Sequence, residues 1–175
     1  MFTTSAMRTG TGVVAIVLLT ATPALALGAF LRTSGPLTDF APATAGPFDG
    51  ASARVQMVES ARGSHAVLTV KGVDRSADGQ TFGAHLHDGP CVAGSGAAAG
   101  PHYNSHVHGQ TPVAGVSDRT EIWLDFTVED GAGTGTASVP FVPESGNRSV
   151  VVHAAPTDPH SGGAGARLAC LTVSW

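Results

Sequence analysis

Alternation of apolar and polar residues dominates the chain beyond about residue 50. Side chains of a strand point to opposite faces in turn, so such runs predict strands with one buried face. The runs cover residues 51–59, 65–72, 81–87, 120–128, 134–140, 148–154 and 167–173. Turn-forming residues separate them, and residues 60–63 predict a hairpin turn. Beyond the N-terminal region, no long window has apolar residues at helical spacing.

This pattern predicts an all-β domain over residues 50–175. We expect a Greek-key barrel or sandwich of seven or eight antiparallel strands, the eighth lying within residues 37–49. Two irregular stretches, residues 88–119 and 156–165, interrupt the strands. Long loops inside a compact domain usually carry function, so we expect the functional residues there and at the adjoining strand ends.

Residues 1–31 have the features of an export segment. Arg8 precedes an apolar core over 12–20, and Ala24-Leu25-Ala26 has the form of a cleavage site. A signal peptide cut after about Ala26 predicts a secreted or cell-envelope protein. The alternative is a membrane anchor over 12–31, which is long enough to span a bilayer. Residues 32–49, rich in Pro, Ala, Thr and Gly, predict a linker or a loosely ordered arm.

Charge and cysteine content narrow the function classes. The net charge of -4 does not fit nucleic-acid binding, which needs a basic face. The chain has two cysteines, Cys91 and Cys170. In an exported protein this even count favours a disulfide, and two buried free thiols are the alternative.

Histidines give the strongest chemical signal. His85 and His87 are two residues apart in a predicted strand, so they leave the same face of it. His102 follows in the long loop, and His153 lies inside the apolar run 149–154. Imidazole suits copper and zinc, and four convergent histidines would make a copper-like site.

Four sequence motifs carry a family resemblance. GAHLHDG, GPHYN, VVVHA and GGAGARLAC occur in this order between about residues 51 and 173. They resemble the motifs of the copper/zinc superoxide dismutases. The resemblance implies a β-barrel enzyme that converts superoxide to dioxygen and hydrogen peroxide by cycling copper between Cu(II) and Cu(I). The copper ligands that it implies are His85, His87, His102 and His153.

The resemblance also implies roles around the copper. His102 is at the position of the histidine that bridges copper and zinc and can supply a proton. Arg167 matches the arginine that attracts superoxide; a surface ion pair is the plainer alternative. Cys170 matches one half of the family disulfide, with Cys91 as the available partner.

The zinc half departs from the family pattern. His106, His108 and Asp118 form a short, oddly spaced candidate set, and solvated loop histidines are the alternative. The shortened loops resemble the copper-only branch of the family, in which a carboxylate orients a ligand histidine. Glu121 is the candidate for that role, and Asp158 is a candidate remnant of the aspartate that links the metal ligands.

These observations predict an exported copper-dependent superoxide dismutase with superoxide as its substrate. The alternative is a superoxide-dismutase-like domain that binds or delivers copper without efficient turnover. A third alternative is a structural barrel with a vestigial site. The sequence sets no oligomeric state.

Overall fold

The computed structural model describes Met1 and residues 29–174, and short antiparallel strands build most of this part of the chain. The strands in chain order are β1 (Phe30–Pro36), β2 (Thr38–Asp39), β3 (Ser52–Ser60), β4 (Gly63–Lys71), β5 (Thr81–Phe82), β6 (Ala84–His87), β7 (Phe126–Thr127), β8 (Ala132–Val139), β9 (Asn147–His153) and β10 (Arg167–Ser174). Two single-turn 3₁₀ helices, Arg75–Ala77 and Gly96–Ala99, are the helical elements of the described residues. The predicted all-β class is confirmed.

Two four-stranded sheets form a sandwich. The first sheet has the order β1-β3-β4-β8, the second has the order β2-β10-β9-β6, and β5 pairs with β7 separately. Alternate residues of both sheets point inward and make one core, which includes Val55, Leu68, Val70, Leu86, Val150, Val152, Leu171 and Val173. Burial of these side chains contributes most of the favourable free energy of folding. The opposite faces of the sheets are left for solvent or for a site.

The predicted strand over 81–87 is divided in two. β5 pairs with β7, whereas β6 pairs with β9 in the second sheet. The change occurs at Gly83, where an added Cβ would lie 2.6 Å from the Ala164 Cβ and 2.9 Å from the Ala155 oxygen. A residue without a side chain is therefore required where the chain passes from one pairing to the other.

The predicted strand over 120–128 is also mostly irregular. Only Phe126–Thr127 is a ladder strand, while Glu121 and Trp123 make isolated bridges to Asn104 and His85. The predicted alternation is nevertheless present, because Ile122, Leu124 and Phe126 are buried in the core. The odd-numbered residues of this segment consequently point away from the core, toward β6 and its histidines.

The N-terminal part requires a correction. Residues 32–49 were expected to be a linker, but β1 pairs with β3 along seven residues and β2 pairs with β10. β1 is an edge strand, its residues are exposed or only partly buried, and it has no continuous apolar face. The alternation of apolar and polar residues therefore did not predict it. The eighth strand expected within 37–49 corresponds to β2. The expected leader lies almost entirely in residues 2–28, outside the described residues.

No helix among the described residues is long and apolar enough to span a bilayer.

A disulfide joins the long loop to the second sheet. Cys91, four residues beyond β6, is bonded to Cys170 in β10, with 5.6 Å between their Cα atoms. The disulfide packs with Ala99, Val151 and Phe40 in a small apolar cluster on the outer side of the second sheet. The predicted pairing is confirmed, and it ties residues 88–101 to the sheet beside the histidines.

Removal of this disulfide should destabilise the fold. The bond closes a loop between positions 79 residues apart, and the loop-entropy model gives about 4.5 kcal/mol for a loop of this length. We expect the Cys91→Ser/Cys170→Ser double variant to lose free energy of unfolding of about this size in urea titrations of metal-free protein. Dithiothreitol should bring the wild type to the stability of the variant; equal stabilities under oxidising conditions would contradict the expectation.

Candidate metal centre

The second sheet presents histidines on its outer face. Ala84 and Leu86 of β6 point into the core, so the intervening His85 and the following His87 point outward. His153 ends the neighbouring strand β9 on the same outer face. Main-chain pairing with His87 then brings in His102 from the long loop. Strand alternation and one loop contact thus assemble the four predicted histidines.

The four rings converge on one point. One nitrogen from each of the four histidines lies within 4.8 Å of the other three. The Nδ1 of His85 is 3.0 Å from the Nε2 of His102, and the Nε2 of His87 is 3.2 Å from the Nε2 of His153. Among the described residues, no other group of three or more histidines, cysteines or carboxylates is arranged to hold a metal ion.

Carbonyl groups fix the tautomers of two of these histidines. The Nδ1 of His87 is 3.0 Å from the oxygen of Gly100, and the Nδ1 of His153 is 3.3 Å from the oxygen of Gly165. A carbonyl oxygen only accepts, so each Nδ1 carries the proton and donates it. The Nε2 atoms of both rings are therefore left with free lone pairs that point to the centre.

Side chains fix the other two rings. His102 donates from Nδ1 to the carboxylate of Glu121 at 2.8 Å, which leaves its Nε2 bare. The Nε2 of His85 lies 2.6 Å from the hydroxyl of Thr157, and that hydroxyl donates to the carboxylate of Asp125 at 2.6 Å. Because the single hydroxyl proton goes to Asp125, the Thr157 oxygen accepts from His85. The Nδ1 of His85 is then the bare atom.

Four unprotonated nitrogens that face one another fit a metal ion better than a hydrogen-bond network. Two lone pairs at 3.0 or 3.2 Å repel unless a cation lies between them. Two nitrogens bound to one metal at about 2.0–2.1 Å, with an angle of about 90–110°, are roughly 2.9–3.4 Å apart. The separations of these two nitrogen pairs match this geometry, and a set of four imidazoles suits copper or zinc.

Burial keeps His85, His87 and His153 neutral. It lowers the pKa of His85 to about 2, that of His87 to about 3 and that of His153 to about 4, and the neighbouring histidines add to the effect. Metal ligation requires neutral imidazole, so these rings need no deprotonation at neutral pH.

Glu121 is a buried carboxylate with three donors. It is 3% exposed and accepts from His102, from the Trp123 indole at 2.9 Å and from the Asn104 amide at 3.2 Å. Burial alone would raise the pKa of Glu121, but these hydrogen bonds outweigh it and hold the pKa below its usual value. The group is therefore an ionised acceptor that fixes the ring of His102.

Arg167 lies next to the cluster, at the start of β10 and in register with His153. It is half-buried, and its guanidinium donates to the oxygens of Gly96 and Gly100, the latter at 2.7 Å. Burial lowers the pKa of Arg167, but a guanidinium stays charged at neutral pH. Five N–H donors cannot all be used by two carbonyls, so donors and charge remain for an anion.

Asp158 does not reach the ligands, which corrects the expectation for this residue. Its side chain is exposed and accepts from the backbone N–H groups of His160 and Ser161 in its own loop. The carboxylate connected to a ligand histidine is Asp125, acting through the neighbouring Thr157. Asp158 therefore stabilises a turn.

The candidate zinc residues are not brought together. His106 is exposed and its ring contacts the oxygen of Thr111, while Asp118 is exposed elsewhere in the loop. His108 lies against Tyr103, between Asp88 at 2.9 Å and Glu144 at 3.2 Å. Within the described residues, this set forms no common centre with His102.

Sequence reasoning missed Thr157 and Asp125. Asp125 was detectable, since it shares the outward face of its segment with Glu121 and Trp123. Thr157 has no signal of its own, because it lies in an irregular loop and is positioned by two hydrogen bonds to Asp125. The acceptors on Gly100 and Gly165 are backbone atoms and leave no trace in residue type.

Substitution of one clustered histidine should show whether copper binds at the cluster or at the other histidines. We expect His87→Ala to weaken Cu(II) binding by at least about a hundredfold in competition titrations, because one of four converging nitrogens is lost. The matched control is His106→Ala, which removes an exposed imidazole and should leave the affinity unchanged. Equal losses in both variants would show that copper binds outside the cluster.

Comparison with known proteins agrees with this geometry. A search of curated proteins returns no significant match. The family model for copper/zinc superoxide dismutase (SODC) matches residues 51–173, most of the chain and all four converging histidines. With the all-β sandwich and the buried histidine cluster, this match shows that the chain belongs to the copper/zinc superoxide dismutase family.

Proposed function

We propose that the protein is an exported, copper-dependent superoxide dismutase. The observation that carries the proposal is the convergence of four bare imidazole nitrogens, each fixed by an outward hydrogen bond, beside the charged Arg167. Copper bound there would supply the one-electron redox change that turns one superoxide into dioxygen and a second into hydrogen peroxide.

Arg167 is proposed to bind the substrate anion. Its guanidinium is held by backbone carbonyls rather than by a carboxylate, so its positive charge is not cancelled locally. A fixed charge beside the cluster favours a small anion over water and increases its rate of arrival, although the chain is acidic overall.

His102 is the proposed proton carrier. Glu121 holds its Nδ1 proton, so the atom that can take up and give a proton is Nε2, on the side of the cluster. Formation of hydrogen peroxide consumes two protons, one of which this nitrogen can deliver while solvent provides the other. His102 is partly accessible, with 19% of its side chain exposed, so it can be reprotonated.

Export is supported by two features. The disulfide between Cys91 and Cys170 fits an oxidising compartment, and the N-terminal sequence predicts a signal peptide or anchor. Superoxide crosses membranes poorly because it is charged, so an enzyme outside the cytoplasm would act on superoxide produced there.

The direct test is a superoxide assay on purified, copper-loaded protein, with metal analysis and an electron paramagnetic resonance spectrum. The proposal expects one copper per chain, a spectrum of nitrogen ligation and fast superoxide removal that is abolished by Arg167→Glu. Bound copper with negligible turnover would favour a copper-binding or copper-delivery domain. Absence of copper binding would leave only a structural barrel.

Glu121→Gln should reduce turnover by about tenfold while the fold is kept. The amide has the same size, but it loses the charge and places an N–H group among three donors, so the ring of His102 is less firmly held. Steady-state assays at saturating copper and the unfolding midpoint of the metal-free protein measure the two effects. The control Glu144→Gln alters an exposed carboxylate beside His108; unchanged turnover in Glu121→Gln would refute the role.

Thr157→Val should loosen His85. Valine has nearly the same shape but can neither accept nor donate a hydrogen bond, so the Nε2–H of His85 loses its acceptor and the connection to Asp125 is broken. We expect about tenfold weaker copper binding and altered nitrogen hyperfine couplings, with recovery of both in Thr157→Ser. A spectrum and affinity identical to the wild type would show that Thr157 only shapes the loop.

A further inference from the structure

The outer face of the first sheet carries a row of cations. Arg32 of β1, Arg54 of β3 and Lys71 of β4 occupy exposed alternate positions on three neighbouring strands. Pairing of Arg54 with Thr69 and of Lys71 with Ser52 places them in successive cross-strand rows, so the charges form a diagonal. This arrangement concentrates positive charge on one face of a chain whose net charge is -4.

The strands that carry this row have no carboxylate at their outward positions, and Asp125 and Glu129 line a neighbouring groove with Lys71 at the edge of the face. The other outward positions of the four strands, within the described residues, are neutral or histidine: Phe30, Ser34, Pro36, Ser52, Gln56, Val58, His65, Val67, Thr69, Ala132, Thr134, Thr136 and Ser138. Arg75 and Arg148 form ion pairs with Asp130 and Asp88, whereas the three cations of the row form none in the described part of the chain. A groove of about 470 Å³ runs between Arg54 and Lys71 and is lined by hydroxyl groups and backbone.

One end of the same face is apolar. Phe30 and Val58 are paired across β1 and β3, and they are 58% and 48% exposed. β1 begins at this end with Phe30, and Arg32 is the next residue of β1 on the same face. Aromatic and aliphatic side chains beside cations are typical of surfaces that lie at the headgroup level of a membrane.

We propose that this face docks on a bilayer that contains anionic phospholipid. Headgroup phosphates would bind Arg32, Arg54 and Lys71, and Phe30 with Val58 would enter the interface. A second copy of the chain is a poor occupant, because two-fold pairing would set cations against cations. An anionic polysaccharide would match the cations but would leave the apolar end without a partner.

Docking in this way determines where the metal centre points. The histidine cluster lies on the outer face of the second sheet, and the core of the sandwich separates it from the cationic face. A domain bound through the first sheet therefore directs its metal centre away from the membrane. Substrate anions would reach Arg167 from the medium, away from the repulsive lipid phosphates.

The test uses a chemical property of this chain: Lys71 is its only lysine. The full chain is incubated with vesicles of phosphatidylcholine alone or mixed with phosphatidylglycerol, and a water-soluble amine reagent labels Lys71. Peptide mass spectrometry gives the labelling rate, with the amino terminus as internal reference. We expect labelling to be about fivefold slower on anionic vesicles, with the protection lost at high salt.

Variants identify the face. Arg32→Gln/Arg54→Gln should abolish the protection of Lys71, and the control Arg119→Gln, an exposed cation of the long loop, should retain it. Equal labelling on both kinds of vesicle would overturn the proposal. Protection by soluble heparin without protection by anionic vesicles would also overturn it and would indicate a polysaccharide partner. Neither result depends on copper loading, so superoxide dismutase activity is tested separately.

Discussion

The structure of the site depends on one constraint: every imidazole that offers a bare nitrogen to the centre must place its remaining proton on an acceptor elsewhere. The four acceptors are of three kinds, namely the carbonyls of Gly100 and Gly165, the hydroxyl of Thr157 and the carboxylate of Glu121. Buried N–H groups without partners would be costly, and protonated inner nitrogens could not bind a metal. The loops around the second sheet are arranged to supply these acceptors.

The sandwich provides rigidity and the loops provide chemistry. Strands β6 and β9 fix His85, His87 and His153 by alternation alone, since their intervening residues are locked in the core. His102 comes from a loop, and it is oriented by a carboxylate on the segment opposite. In a copper/zinc site, a second metal ion can bind the outer nitrogen of this ring. Among the described residues, the carboxylate of Glu121 occupies that position instead.

The extent to which the sequence predicts this site follows from how each residue is positioned. The four converging histidines were predictable because strand periodicity and four motifs identify them, and the family resemblance pointed to Glu121 at the start of its predicted strand. Thr157 was not predictable, since only a contact between distant loops gives it a role. Asp158 was wrongly expected to contact the converging histidines, whereas Asp125 is the aspartate connected to His85 through Thr157. Asp158 lies in a loop without a sequence motif, so its position relative to the histidines could not be predicted.

For the fold, core strands were predicted well and edges poorly. β3, β4, β9 and β10 bury one face, so their alternation is strong. β1 is held mainly by backbone hydrogen bonds to β3, which any residue except proline can supply, and its composition resembles that of a linker. Gly83 showed that a predicted strand can be divided when backbone contacts leave no room for a side chain.

The oxygen of Gly100 has a consequence for how this loop can evolve. It accepts from His87, one of the four converging histidines, and from Arg167, the cation proposed to bind the substrate anion. A shift of this single peptide would disturb metal ligation and anion capture together, so mutations could not tune the two properties independently here. Insertions should accumulate instead at the exposed tip over 92–94, while Gly89, where a Cβ would lie 2.2 Å from the Ala98 oxygen, should resist substitution during divergence.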